Sequence, residues 1–172
     1  GRMFSGEHIF QNVYTAQLGQ GIITFGSSFP GKVLALDITP DRPMVVQKSG
    51  FLCSETSVEL SVFFNHKATG GLFGGEGFIM QKLTGNGKAF VELDGYIKEY
   101  ALDAGQQLVI STGNLAMCDA TCTIAAKTVK GVKNKLLGGE GFFNTVVTGP
   151  GNVWVQSHPA SVLAAALQPY LY

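Results

Sequence analysis

A nine-residue segment of this chain is written twice. Gly71-Leu72-Phe73-Gly74-Gly75-Glu76-Gly77-Phe78-Ile79 returns as Lys135-Leu136-Leu137-Gly138-Gly139-Glu140-Gly141-Phe142-Phe143, a shift of 64 from 71 to 135. A weaker copy, Phe4-Ser5-Gly6-Glu7-His8-Ile9-Phe10, lies 69 residues upstream, from 4 to 73. Behind each copy stands a Gly-x-Gly turn: Gly19-Gln20-Gly21, Gly85-Asn86-Gly87 and Gly149-Pro150-Gly151. An apolar strand is expected after each turn, at Ile22 to Phe25, Ala89 to Leu93 and Val153 to Val155. Gly50-Phe51-Leu52 is answered by Gly113-Asn114-Leu115, and Ser57-Val58-Glu59-Leu60 by Thr121-Cys122-Thr123-Ile124. A period this long with matched turns marks duplicated supersecondary units. The expected organisation is a single all-β domain of three repeats with pseudo-threefold symmetry, over about 4–72, 73–136 and 137–172, the last one partial.

Inside a unit the pattern is β throughout. Runs with partial alternation (Lys32 to Ile38, Val58 to Phe64, Tyr96 to Leu102, Gln107 to Ser111) are separated by Asp94-Gly95, Asp103-Ala104-Gly105 and Thr39-Pro40-Asp41-Arg42-Pro43. Such spacing predicts a sandwich, barrel or prism of short strands. One helix is expected, at Ser161 to Leu167, where an alanine-rich run starts after Pro159 and stops before Pro169.

Glycine makes up 23 of the 172 residues, and charged residues are 14% of the chain against a typical ~25%. With 45% apolar residues there is enough to build a core, which excludes a disordered chain. Twelve basic residues balance twelve acidic ones. That balance argues against a nucleic-acid binder, whose phosphate contacts need a basic surplus, and against docking on anionic lipid.

The N-terminal residues Gly1-Arg2-Met3-Phe4 show no apolar signal region, and Val162 to Leu167 is far short of the ~20 residues of a membrane span. No transmembrane segment and a cytoplasmic location are expected. Three cysteines, Cys53, Cys118 and Cys122, fit reduced thiols. If Cys118 and Cys122 shared one strand, they would sit about 13 Å apart on one face. Neither a disulfide nor a shared metal follows unless a turn intervenes, so buried free cysteines are expected.

The third unit ends after Gln156-Ser157-His158-Pro159, where the others carry roughly forty more residues by the same repeat arithmetic. The expectation is a truncated chain, or strands exchanged with a neighbour. At these same residues a family resemblance enters. Leu72 to Phe78, Leu137 to Phe143, the run Thr148-Gly149-Pro150-Gly151-Asn152-Val153-Trp154-Val155-Gln156-Ser157 and the opening Phe4-Ser5-Gly6-Glu7 resemble bacterial relatives of the mitochondrial biogenesis protein Aim-twenty-four (altered inheritance of mitochondria). The resemblance covers essentially the whole chain. It implies units like the tryptophan RNA-binding attenuation protein (TRAP), a small double-stranded β-helix or sandwich. It implies a fold and no activity, since fold does not transfer function. The mitochondrial member is implicated in inner-membrane organisation, but nothing here matches a mitochondrial address.

Glu7, Glu76 and Glu140 occupy equivalent repeat positions. Converging on an axis, they would form a carboxylate cluster able to hold a cation. The local alternative is that each carboxylate accepts N–H bonds from its own glycine-rich turn, a job copied with the unit, and repetition favours it. The glycine-rich segment Gly71 to Gly77 lacks the Lys-Ser/Thr ending of a phosphate loop and precedes a strand. His8, His66 and His158 are scattered without ligand spacing, so no metal, cofactor or catalytic constellation is read. Lys127, Lys130, Lys133 and Lys135 form the one basic run. Without interleaved aromatics it reads as a solvated connection before an RNA or membrane contact. Trp154, Phe142 and Phe143 fall on expected strands and read as core.

The leading expectation is therefore a non-enzymatic β scaffold that works through protein contacts, as a homo-oligomer or with another protein. The alternatives are a small-ligand or metal binder at the glutamate axis, and an RNA or membrane-surface partner using the lysine run.

Overall fold

The structure is a computed structural model that describes residues 11–66, 77–128, 143–167 and 170. It is all-β, with twelve strands in three antiparallel sheets and one short helix. The strands are β1 (Gly31–Ile38), β2 (Met44–Gln47), β3 (Phe51–Ser54), β4 (Val58–His66), β5 (Phe78–Gly85), β6 (Gly87–Asp94), β7 (Ile97–Leu102), β8 (Gln107–Ser111), β9 (Leu115–Asp119), β10 (Thr123–Thr128), β11 (Phe143–Thr148) and β12 (Gly151–Gln156). Helix α1 spans Ala160–Leu167 and begins, as its sequence predicts, right after Pro159.

A six-stranded sheet ordered β4-β5-β2-β9-β12-β7 runs through the molecule. Two three-stranded sheets, β1-β6-β3 and β10-β11-β8, complete it. The first packs over one buried cluster that includes Ile38, Met44, Val46, Leu83, Val91 and Leu93. The second packs over another that includes Val45, Phe78, Met80, Ile110, Val147 and Val153. Met44 and Val46 belong to one cluster and Val45 between them to the other, so the two cores lie on opposite faces of β2.

The strand pairings before residue 95 recur after it, in register, 64 positions on. Ile38 faces Gly87, and Leu102 faces Gly151. Met44 faces Leu83, and Leu108 faces Val147. Glu59 faces Thr84, and Thr123 faces Thr148. One irregularity matches too: Leu52 bulges out between Phe51 and Cys53 against β6, and Ala116 between Leu115 and Met117 against β12, whereas the β4 bulge between Val62 and Phe64 has no counterpart in β10. Short 3₁₀ turns at Lys48–Gly50 and Thr112–Asn114 occupy matching positions too.

The turns show why residue types recur. The carboxylate of Glu55 accepts the Lys88 N–H at 2.8 Å, and that of Asp119 accepts the Asn152 N–H at 2.7 Å. Just beyond, Val58 and Cys122 close one-turn contacts on the carbonyls of Glu55 and Asp119, each at 3.0 Å. Gly85, at φ +108°, lies so close to the Ser57 carbonyl that no side chain fits between them.

One expected strand is absent. Ile22 to Phe25 carries the right composition, yet it has no sheet partner among the described residues and lies open to solvent. The segment folds back only loosely, with the Tyr14 and Phe25 rings edge to face at 5.8 Å. A strand needs a partner as well as β-formers. Trp154 is half-buried against the first core. Phe142 lies outside the described residues, and Phe143 opens β11.

Candidate functional site

None of the three equivalent glutamates can be placed, because Glu7, Glu76 and Glu140 lie outside the described residues. The same holds for Lys130, Lys133 and Lys135 and for His8. Lys127 is exposed on β10, opposite Asn144. His66 ends β4 and stacks on Phe64 with centroids 6.4 Å apart. His158 follows β12 at a turn, where its Nδ1 meets the Ser157 hydroxyl at 2.7 Å while that hydroxyl accepts the Tyr96 N–H. Among the described residues, no three His, Cys, Asp or Glu side chains converge as a metal would require. None of the described helices is long and apolar enough to cross a membrane.

What the structure does bring together is a strand junction. β2 pairs with β9 through Met44 opposite Asp119, Val45 opposite Cys118 and Val46 opposite Met117. This pairing fuses β4-β5-β2 to β9-β12-β7 and makes the long sheet continuous. Both strands are short apolar runs, buried along almost their whole length. Such runs suit strands covered on two faces.

A buried polar group locks the junction. Gln156, at the end of β12, donates from Nε2 to the Gln47 Oε1 at 3.2 Å and to the Gly113 carbonyl at 3.1 Å. Its Oε1 accepts the Asp94 N–H at 2.9 Å, and its carbonyl accepts from Asn114 Nδ2 at 2.8 Å. These bonds tie the end of β2 to both ends of the second half. Asp94 itself accepts the first helical N–H, from Ala160, at 3.0 Å; burial nonetheless raises its carboxyl above the ordinary range.

The register-equivalents of the junction strands are less covered: β3 is half-buried along its length and β8 is mostly exposed. β8 stands where β2 does, and β3 where β9 does, but among the described residues each has a single sheet neighbour. The contrast is clearest at one residue type. Val45 is 0% exposed and Val109, its equivalent, is 54% exposed. Ile110, like Val46, points into its own core, so β8 is open on the face that carries Val109. Sequence reading found β8 but missed these edges; the signal was the 64-residue shift, which equates 45 with 109.

The profile of the family described as Mitochondrial biogenesis AIM24 matches residues 1–158. The chain belongs to the AIM24 family. No curated protein matches it. A Streptococcus pyogenes protein of known crystal structure is similar in fold, with a TM-score of 0.67 at 22% sequence identity. The match covers 84% of this chain and 62% of that one, so this AIM24 chain spans less than two thirds of that relative.

Proposed function

We propose that this chain is a non-enzymatic β scaffold that works by strand addition, its occupant being a second copy of its own kind. In this reading the β8 edge of one copy pairs with the β3 edge of the next, as β2 pairs with β9 inside the chain. The units would be TRAP-like and arranged about a pseudo-threefold axis, with the boundaries expected from the sequence. The observation that carries the reading is the Val45 and Val109 pair: the same residue at the same register, buried where the neighbouring half is present and exposed where it is not. Edges left unpaired among the described residues, with apolar flanks, are templates for further strands, and continuity with an existing junction supports the geometry. Because the two edges differ, the contact is heterologous, so copies would close into a ring or continue as a filament.

Native mass spectrometry and sedimentation test this together. The unmodified chain is expected to assemble, and Val109→Lys is expected to shift it to monomer without changing its fold. A strict monomer at high concentration overturns the reading. Assembly untouched by Val109→Lys removes the β8 edge from it.

A further inference from the structure

Two segments carry apolar side chains that, among the described residues, neither buried core takes in. The first is the arm from Gln11 to Pro30 ahead of β1, exposed at every position. Val13, Tyr14, Leu18, Ile22 and Ile23 all face solvent there, Leu18 at 97% and Ile22 at 99% exposure. The second is α1, whose one polar residue is Ser161; it exposes Val162, Leu163 and Leu167, with Tyr170 just beyond. No charged residue occurs from Gln11 to Gly31 or from Pro159 to Tyr172. A helix this apolar belongs against a partner, and so does an uncharged run of exposed isoleucine, leucine and tyrosine.

Both segments are rooted at one corner, where β6 passes into β7. The Gly95 N–H donates to the Pro30 carbonyl at 2.9 Å, and the Ser28 N–H donates to the Glu92 carboxylate at 2.9 Å. The helix is tied to the same corner. The Tyr96 N–H donates to the Ser157 hydroxyl at 2.9 Å, and the Ala160 N–H to the Asp94 carboxylate at 3.0 Å. Tyr96 is itself exposed.

We propose that α1 of one copy packs against the 11–30 arm of the next, as a second contact of the strand-addition assembly, a contact that rests on that reading. The register decides which segments meet. β12 is the equivalent of β6, and β1 of β7, since Leu102 faces Gly151 as Ile38 faces Gly87. Inside the chain the end of β6 leads into β7. A junction between copies that repeats the internal one sets the end of β12 in one copy beside the start of β1 in the next. α1 leaves the first of these points, and the arm runs into the second. The partner that each apolar segment lacks therefore arrives together with the pairing of β8 on β3. The contact is heterologous, helix on arm, as the strand edges are. Because neither segment carries charge, both can be buried without stranding an ion.

The test uses the full chain with Cys53→Ser, in which the remaining native cysteines, Cys118 and Cys122, are buried. One sample carries Leu167→Cys and the other Ile22→Cys, both exposed positions in the single chain. The two are mixed and treated with a short bismaleimide. The expected product joins one chain of each variant, and neither variant alone gives a linked dimer. Leu167→Lys and Ile22→Lys should each weaken assembly roughly tenfold or more in sedimentation, with the circular dichroism and urea midpoint of the monomer unchanged. A chain that stays monomeric at high concentration overturns this contact together with the strand-addition reading. Assembly that Val109→Lys abolishes, but that gives no mixed product and ignores both lysines, overturns this contact alone. Linked dimers within one variant sample mean that arm meets arm or helix meets helix, and overturn it as well. So does binding to phosphatidylcholine vesicles that both lysine variants abolish while assembly is kept.

Discussion

Val45 and Val109 hold the same register in strands that match each other pair for pair, and one is sealed while the other faces water. The difference does not lie in their own strands. β2 and β8 each pack one face into a local sandwich, through Met44 and Val46 in one case and Leu108 and Ile110 in the other. What differs is the neighbour: β2 has β9 beside it and a second core across its other face. The pair teaches that burial in this fold is conferred by the adjoining unit rather than by the strand.

Substitutions at the two valines should break that symmetry most visibly. A lysine at Val45 places an unpartnered charge between two cores and is expected to cost more than about 4 kcal/mol of stability. Urea unfolding of Val45→Lys should show a collapsed midpoint. Val109→Lys should stay within about 0.5 kcal/mol, provided that both are measured on monomer. Equal losses at the two positions would mean that Val109 is already covered in solution.

Next in size is the polar lock. Gln156→Leu leaves the Asp94 N–H and the Gln47 carbonyl oxygen without their partner and should cost about 2 kcal/mol. A double-mutant cycle with Gln47→Leu should recover part of that loss, because the second change removes one of the orphaned groups. At Glu92, the equivalent of Gln156, the side chain accepts the exposed Ser28 N–H, at 2.9 Å, in place of a buried amide network. Glu92→Leu should therefore cost much less.

The smallest expected effect is at the surface. Asp37 on β1 pairs with Lys88 on β6, whereas their equivalents are Ala101 and Asn152. The hydrogen bond and charge of Lys88 hold the Asp37 carboxyl below its ordinary value, and Asp37 in turn raises Lys88. A carboxyl lowered by folding contributes stability above its unfolded pKa and loses it as pH falls through the folded one. Asp37→Asn should thus slightly lower the urea midpoint at pH 7 and leave it unchanged at pH 2. Both groups are exposed, so salt should shrink even that difference.

Much of this architecture was legible in the residues. The shift of 64, the β class, strands β1, β4, β7 and β8 and the helix after Pro159 all carry local signals. Met44-Val45-Val46-Gln47 carried none, because a strand buried on both faces has no alternation to read. Ile22 to Phe25 had the composition of a strand, but pairing is not a local property. Cys118 and Cys122 are free and buried, as their spacing predicted, although the turn at Asp119 to Cys122 interrupts the strand along which that spacing was measured. The candidate glutamates and most of the lysine run stand in segments outside the described residues, so geometry adds nothing to their sequence reading.

The Gln47–Gln156 pair bears on how the chain finds its fold. Two halves with matching registers are near-substitutes for one another, so during folding β5 has β8 as a competitor for β2, and β11 has β2 as a competitor for β8. Apolar contacts barely distinguish these alternatives. Ser111 stands where Gln47 does, and Glu92 where Gln156 does, so an exchanged arrangement buries a polar side chain with no amide to meet it. The wrong pairing thereby carries a desolvation cost that the native one avoids. The glutamine pair is then a proofreading device, selecting the native order from a chain whose own repetition would otherwise scramble it.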